Sequence, residues 1–216
     1  VSVFGGVGLT APTTVRLSLP PDTDLKFTRV HWKDESLKTP PYYGVRATRW
    51  FSSWGLGLEF IHAKIIAQLG KTIHVEGKRS GIPISIDEPL GKTFQDLSFT
   101  HGYNMLFLNV TKRWMPHEFG AYQGARKTYP YVGCGLGVTI PHSEIKTEGN
   151  SVYEYQTAGY ALQLFVGLTF TLSDKLSLFP EYKISTSTIN SKLNGGGEVR
   201  LTPVTHHLII GVSFDF

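Results

Sequence analysis

The 216-residue chain is nearly without cysteine and has no long hydrophobic run. Cys134 is the single cysteine, so no intrachain disulfide can form. Nowhere do about eighteen apolar residues follow one another, which excludes a membrane-spanning helix. Charged residues make up only 18% of the chain, yet the mean hydropathy is close to neutral, unlike that of a helical membrane protein. No amphipathic helix of ordinary length is present. The P-loop, the zincin helix and the nucleophile elbow are missing as well, which removes the common motif-bearing enzyme classes. Asn194-Gly195-Gly196-Gly197-Glu198 is rich in glycine but has no strand-to-helix context, so it reads as a loop tip and not as a phosphate cradle.

What the chain does have is alternation. At its end, Leu208, Ile210, Val212, Phe214 and Phe216 fall on every second residue, with Gly211, Ser213 and Asp215 between them. A strand has a side-chain period of two, so one face is apolar and the other small or polar. The same pattern recurs in candidate strands at Val1–Leu9, Tyr42–Phe51, Trp54–Ile66, Leu97–Trp114, Thr128–Ile140, Glu154–Leu172, Lys175–Thr186 and Val204–Phe216. Ser52-Ser53 and Ser173-Asp174 are tight turns. Thr10–Pro41, Ala67–Asp96, Lys146–Tyr153 and Ser187–Pro203 are longer, polar connections, and Met115–Lys127 is a long connection where a short turn is expected. Short turns at one end and long loops at the other predict an all-β fold, a transmembrane antiparallel up-and-down barrel of about eight strands forming one domain over residues 1–216. A closed barrel is the one way left to cross a bilayer, because every backbone N–H and C=O must find a partner there. The opening Val1-Ser2-Val3-Phe4-Gly5 shows no initiator Met and no charged-then-apolar leader. The expectation is therefore a mature chain whose signal peptide has been removed, in the bacterial outer membrane with periplasmic termini.

The inward faces are mostly small and polar. Gly133, Gly135, Gly137 and Thr139 alternate with outward Val132, Cys134, Leu136 and Val138. A soluble ligand-binding barrel reverses this, with its apolar face inside. Arg46, Glu59, Glu181 and Lys183 also fall on the inner face, where they must pair, so the interior is expected to be a plug and not a pore. Trp50, Phe51, Trp54 and Trp114 sit at the short-turn end and Tyr42 and Tyr43 at the other, as the two aromatic girdles of a membrane barrel do.

Histidines gather at the long-loop end. His62 closes the third strand, His101 opens the fourth and His142 closes the fifth. Consecutive strands are neighbours in an up-and-down barrel, so the three imidazoles are expected in one patch at headgroup level. Imidazole serves as a metal ligand or as a general acid or base. Strict alternation sets His62 and His142 on the lipid-facing side and turns His101 inward, unless a rim bulge reorients it. The plain alternative is an interfacial histidine without chemistry. His206 and His207 lie further round the barrel. Ser143 follows His142 directly and so points to the opposite face, which does not suit a nucleophile–base pair. Lys64, Lys71, Lys78, Arg79, Lys146 and Arg200 line the rim and loops, where lipopolysaccharide phosphates or sugar acids would pair with them; a solvated loop surface accounts for them equally well.

Five stretches carry a family resemblance: Pro40–Thr48 (Pro-Pro-Tyr-Tyr-Gly-Val-Arg-Ala-Thr), Gly57–Lys64 (Gly-Leu-Glu-Phe-Ile-His-Ala-Lys), Asn109–Trp114 (Asn-Val-Thr-Lys-Arg-Trp), Pro130–His142 and the closing Gly211–Phe216. In these the chain resembles the outer-membrane lipid A oxidases of rhizobia and related alphaproteobacteria. The resemblance implies an enzyme that uses molecular oxygen to convert the proximal glucosamine of lipid A to an aminogluconate unit. Its partners would be lipid A, lipopolysaccharide and outer-membrane lipid, and no nucleic acid. The resemblance supplies no active-site residues. Topology supplies them: His62, His101 and His142 as catalytic residues and as ligands of a divalent metal, with Lys64 beside them for a lipid A phosphate. A non-catalytic small barrel, serving structure, adhesion or an envelope assembly, is the alternative reading.

Overall fold

The computed structural model describes residues 1–114 and 128–216, so the connection at Met115–Lys127 lies outside the described residues. Eight of its strands form a ring: β1 (Ser2–Thr10), β5 (Tyr43–Phe51), β6 (Trp54–Ala67), β9 (Phe94–Arg113), β10 (Thr128–Thr147), β12 (Gly159–Thr171), β13 (Leu176–Ser187) and β16 (Val204–Phe214). Each pairs antiparallel with the next, and β16 pairs back onto β1 from Ser2↔Ser213 to Thr10↔Thr205, which closes the barrel. Closure removes both free edges, the condition for a sheet to lie in lipid.

Exposure fixes which face meets lipid. Leu208 and Ile210 are 62% and 59% exposed, while Ile209 between them is 5%. Leu56 and Leu58 on β6, Leu136 on β10 and Leu162 and Leu164 on β12 are exposed in the same way, and together they form an apolar belt. Phe51 and Trp54 stand exposed at its short-turn end, and Tyr43, Tyr155 and Tyr160 at the other. Tyr42, read as a second girdle tyrosine, is instead buried, because the neighbouring position on the strand faces inward. No helix among the described residues is long and apolar enough to cross a membrane.

Inside the barrel, glycines make room for rings from adjacent strands. A Cβ on Gly44 would strike the Phe4 ring, and one on Gly133 or Gly211 would strike Phe165 or Phe179. At mid-barrel those three rings surround the Arg46 guanidinium at 4.8–5.9 Å. Arg46 donates from Nε to Glu59 Oε2 at 2.6 Å and grips Glu181 with both terminal nitrogens at 2.7 and 2.8 Å. Lys183 pairs with Glu59 and stands 3.6 Å from Glu181. Asn109 donates to Glu59 at 2.8 Å, Gln163 to Asn109 at 2.7 Å and Tyr131 to Glu181 at 2.9 Å. Two cations thus meet two anions in a filled cross-section, the plug expected from the sequence.

The long connections are where the chain departs from a plain barrel. They form a second sheet of six strands: β14 (Ile189–Lys192), β15 (Glu198–Leu201), β2 (Thr13–Leu19), β3 (Thr23–Val30), β7 (Thr72–Arg79) and β8 (Ile82–Pro89), in that order. Val15, Leu17, Leu25, Phe27, Val75 and Val199 on its inner face pack into one core with Ile65, Phe94, Phe99 and Ile145, which belong to extensions of β6, β9 and β10 beyond the belt. The Gly195-Gly196-Gly197 tip joins β14 to β15 with all three φ values between 95° and 97°, a conformation that only glycine adopts without strain. Two short strands, β4 (Trp32–Lys33) on β6 and β11 (Ser151–Tyr155) on β10, complete the extension.

Candidate functional site

The rim cluster begins with a bulge. Between the pairs Pro141↔Tyr103 and Glu144↔Ser98, β10 contributes two residues and β9 four, Phe99 to Gly102. Gly102 makes the bulge at φ 143°, where a Cβ would lie 2.5 Å from the Asn104 amide. The surplus residues turn the Thr100 and His101 N–H groups onto one carboxylate: both donate to Glu144 Oε1, at 3.1 and 2.9 Å. Thr100 Oγ1 donates to the other oxygen at 2.6 Å. The bulge also brings the His101 ring to the outward side, against the plain alternation.

His142 and Glu144 are two apart on β10 and therefore share the outward face. His101 Nδ1 lies 2.7 Å and His142 Nδ1 3.3 Å from the same Glu144 oxygen, and the two imidazole centroids are 5.0 Å apart. On the far side β11 pairs His142↔Tyr155 and Glu144↔Tyr153. Both tyrosine rings meet His142 edge-on, at 4.7 and 4.8 Å, and hold its plane. Tyr155 donates to the His101 carbonyl at 3.0 Å, and the Tyr153 hydroxyl is 3.3 Å from His101 Nδ1. Glu144 and His142 are buried, whereas the side chain of His101 is 56% exposed and opens the cluster to the surface.

The donor set suits a metal. One ligand atom from each of His101, His142 and Glu144 can be chosen so that all lie within 4.8 Å of one another. Three ligands about 2.1 Å from one ion at tetrahedral or octahedral angles stand about 3.0–3.4 Å apart, so the side chains would close by roughly an ångström to hold it. Two imidazoles and one carboxylate, with coordination positions left open, make the ligand set of oxygen-using non-haem iron sites.

Two of the three expected histidines come together, and the third does not. His62 faces outward as alternation requires, but β9 separates β6 from β10, and its cross-strand neighbour is Asn104. Its Nδ1 lies 2.9 Å from Asn104 Oδ1 and its ring stacks on Tyr43 at 5.0 Å, so it is outside the cluster. Glu144 is the third member of the cluster instead. Lys64 is not presented to a phosphate either. It is buried, and its ammonium donates to the Lys38 and Thr39 carbonyls at 3.1 and 3.0 Å. His207 points into the barrel and bonds Ser185 at 2.8 Å. Ser143 faces inward to Ser191 at 2.7 Å, opposite to His142 as its position requires.

Burial alone would raise the Glu144 carboxyl, but the bonds from Thr100 and His101 outweigh it and hold the group below the usual carboxylate range. Burial raises neighbouring Asp96, offset in part by a bond from Ser98, and the Glu144 charge raises it further. A carboxyl depressed in the folded state contributes stability at pH values above its unfolded pKa and loses it as pH falls through the folded one. The bulge should therefore be intact at neutral pH and begin to loosen only below about pH 4.3, where a free glutamate titrates. Hydrogen exchange at the Thr100 and His101 amides should show this loss of protection on acidification and none between pH 6 and 8.

The fold defines a transmembrane barrel with the architecture of outer-membrane proteins, carrying a metal-compatible cluster on the outside of its rim. No family model matches the chain, and no curated protein matches it. Among solved structures it is similar to Neisserial surface protein A (12% identity, TM-score 0.43, covering 100% of this chain and 96% of that one). It is also similar to the outer membrane protein OprG from Pseudomonas aeruginosa (14%, 0.44, 98% and 97%) and to the outer membrane protease OmpT from Escherichia coli (6%, 0.44, 99% and 96%).

Proposed function

We propose that the chain is an outer-membrane enzyme that oxidises the proximal glucosamine of lipid A at the outer-leaflet rim, with His101, His142 and Glu144 holding a divalent metal. The observation that carries this reading is the cluster's position. It sits on the lipid-facing side of β9 and β10, one step above the apolar belt, where lipid headgroups lie. A sugar there need not enter the barrel, whose interior is filled by the Arg46–Glu59–Glu181–Lys183 network. The resemblance to lipid A oxidases supplies the reaction.

The step balances without a further reductant. The anomeric carbon of the reducing sugar gives up its hydrogen and its hydroxyl proton, with two electrons, to become a lactone. Dioxygen takes the two electrons and two protons and leaves as hydrogen peroxide. Water then opens the lactone to the aminogluconate. A redox-active divalent metal bound at the site would supply the coupling of sugar and dioxygen.

The chain's own residues do the positioning. Thr100 and the bulge amides fix Glu144, so the carboxylate is pre-aimed. Tyr153 and Tyr155 fix His142. The exposed edge of His101 leaves one side of the cluster open to a headgroup, while the belt residues Leu136 and Val138 below it face the acyl chains. Asp96, raised by its surroundings and linked through Ser98 to Glu144, is placed to take up a proton.

Metal analysis of the purified protein should find close to one divalent ion per chain, removable by chelator together with the activity. Activity should return with iron(II) and stop under nitrogen. Full activity in the metal-free protein would sink the assignment.

A further inference from the structure

A second feature lies on the six-stranded sheet. In the six-stranded sheet, Arg200 on β15 is the direct cross-strand partner of Arg16 on β2, and Arg16 that of Lys26 on β3. Like charges directly opposite one another repel, and sheets ordinarily avoid them. The carboxylates nearby only partly offset the row. Glu198 pairs with Arg200, and Glu76 pairs with Lys26 at 2.7 Å. Among the described residues, no carboxylate lies within ion-pair distance of Arg16, the middle member. Asn190 extends the row beyond Arg200.

The row borders a groove of about 650 Å³ that runs from the sheet down to Val204 at the start of β16, with the exposed Thr14 and Thr202 on its walls. Val204 stands at the upper edge of the apolar belt on the β13–β16 wall, so the groove rises from membrane level to the cations. Around the ring, β16 is three strands from β10, and the metal-compatible cluster faces a different side. A lipid held at one site is therefore not the lipid held at the other.

We infer that the Arg200–Arg16–Lys26 row is a binding site for the phosphorylated or carboxylated sugars of a neighbouring anionic glycolipid, lying beside the barrel and separate from the one acted on at the rim. Guanidinium groups bind phosphate and carboxylate through paired N–H donors, and the asparagine and threonines beside them suit sugar hydroxyls. The site needs no chemistry and does not depend on the oxidase reading. Its role is to anchor the extracellular sheet to the saccharide layer.

The test uses the full chain in detergent micelles and, as probe, a phosphorylated core oligosaccharide freed from its acyl chains. Binding should be salt-dependent and should weaken at least tenfold in the Arg16→Glu/Arg200→Glu double variant. Both side chains are exposed, and heat-modifiable gel migration reports whether the barrel is intact. Oxidation of a lipid A lacking core sugars should be unchanged in that variant, which separates this proposal from the proposed activity. Equal binding by wild type and variant would overturn the site. Complete competition by inorganic phosphate at the same concentration would overturn the glycolipid assignment in favour of a free-anion site.

Discussion

On the proposed function, His142→Ala should abolish oxidation of lipid A and metal retention while the barrel stays folded. Changing a partner one step removed from a metal already costs about 10–100-fold in affinity or activity, so loss of a ligand should cost at least about 100-fold. His142 stands outside the barrel wall, above the belt, and none of the interior ion pairs passes through it. Glu144→Gln should have a comparable effect, since it removes the charge that both imidazoles face. His62→Ala is the informative contrast. The three-histidine patch expected from the sequence has it inactive; the geometry has it active, because His62 touches Tyr43 and Asn104 and not the cluster. Turnover and metal content of the three variants, measured side by side, decide between these outcomes.

The second large effect is on stability. Arg46→Ala should destabilise the barrel by about 3–5 kcal/mol, because two carboxylates are then left in a closed interior with one lysine between them. Arg46 hydrogen-bonds both Glu59 and Glu181, whereas Lys183 bonds Glu59 and stands 3.6 Å from Glu181, and the Arg46 guanidinium also packs against the rings of Phe4, Phe165 and Phe179. Unfolding in urea from lipid vesicles reads this directly. An unchanged midpoint would mean that water reaches the network.

The barrel was legible because its signal is local. Every strand of the ring shows the period of two, and Leu208–Phe214 shows it without interruption. The interior ion pairs were legible for the same reason, since four charged residues on the inner face of a closed barrel have only each other. The second sheet reads in the sequence as polar loop, although Val15-Arg16-Leu17-Ser18-Leu19 alternates as clearly as any belt strand. Its apolar residues are separated by charges, its strands are short, and its core forms only against extensions of β6, β9 and β10 that are distant in sequence. The site was legible in part. His101 and His142 could be brought together by topology, but the turn of His101 depends on a bulge, which alternation does not reveal. The spacing His142-Ser143-Glu144 places an acid on the histidine's own face and is the signal that could have found Glu144. Tyr153 and Tyr155 depend on the pairing of β11 with β10, which no local pattern announces.

The most direct test of the account is mass spectrometry of lipid A from cells making the wild-type chain, the His142→Ala variant or no chain, grown with oxygen. The account predicts a species one oxygen atom heavier, modified at the proximal sugar, in wild-type cells and in neither of the others. Identical lipid A in all three, with the wild-type barrel present in the outer membrane, would contradict the oxidase assignment and leave a non-catalytic barrel.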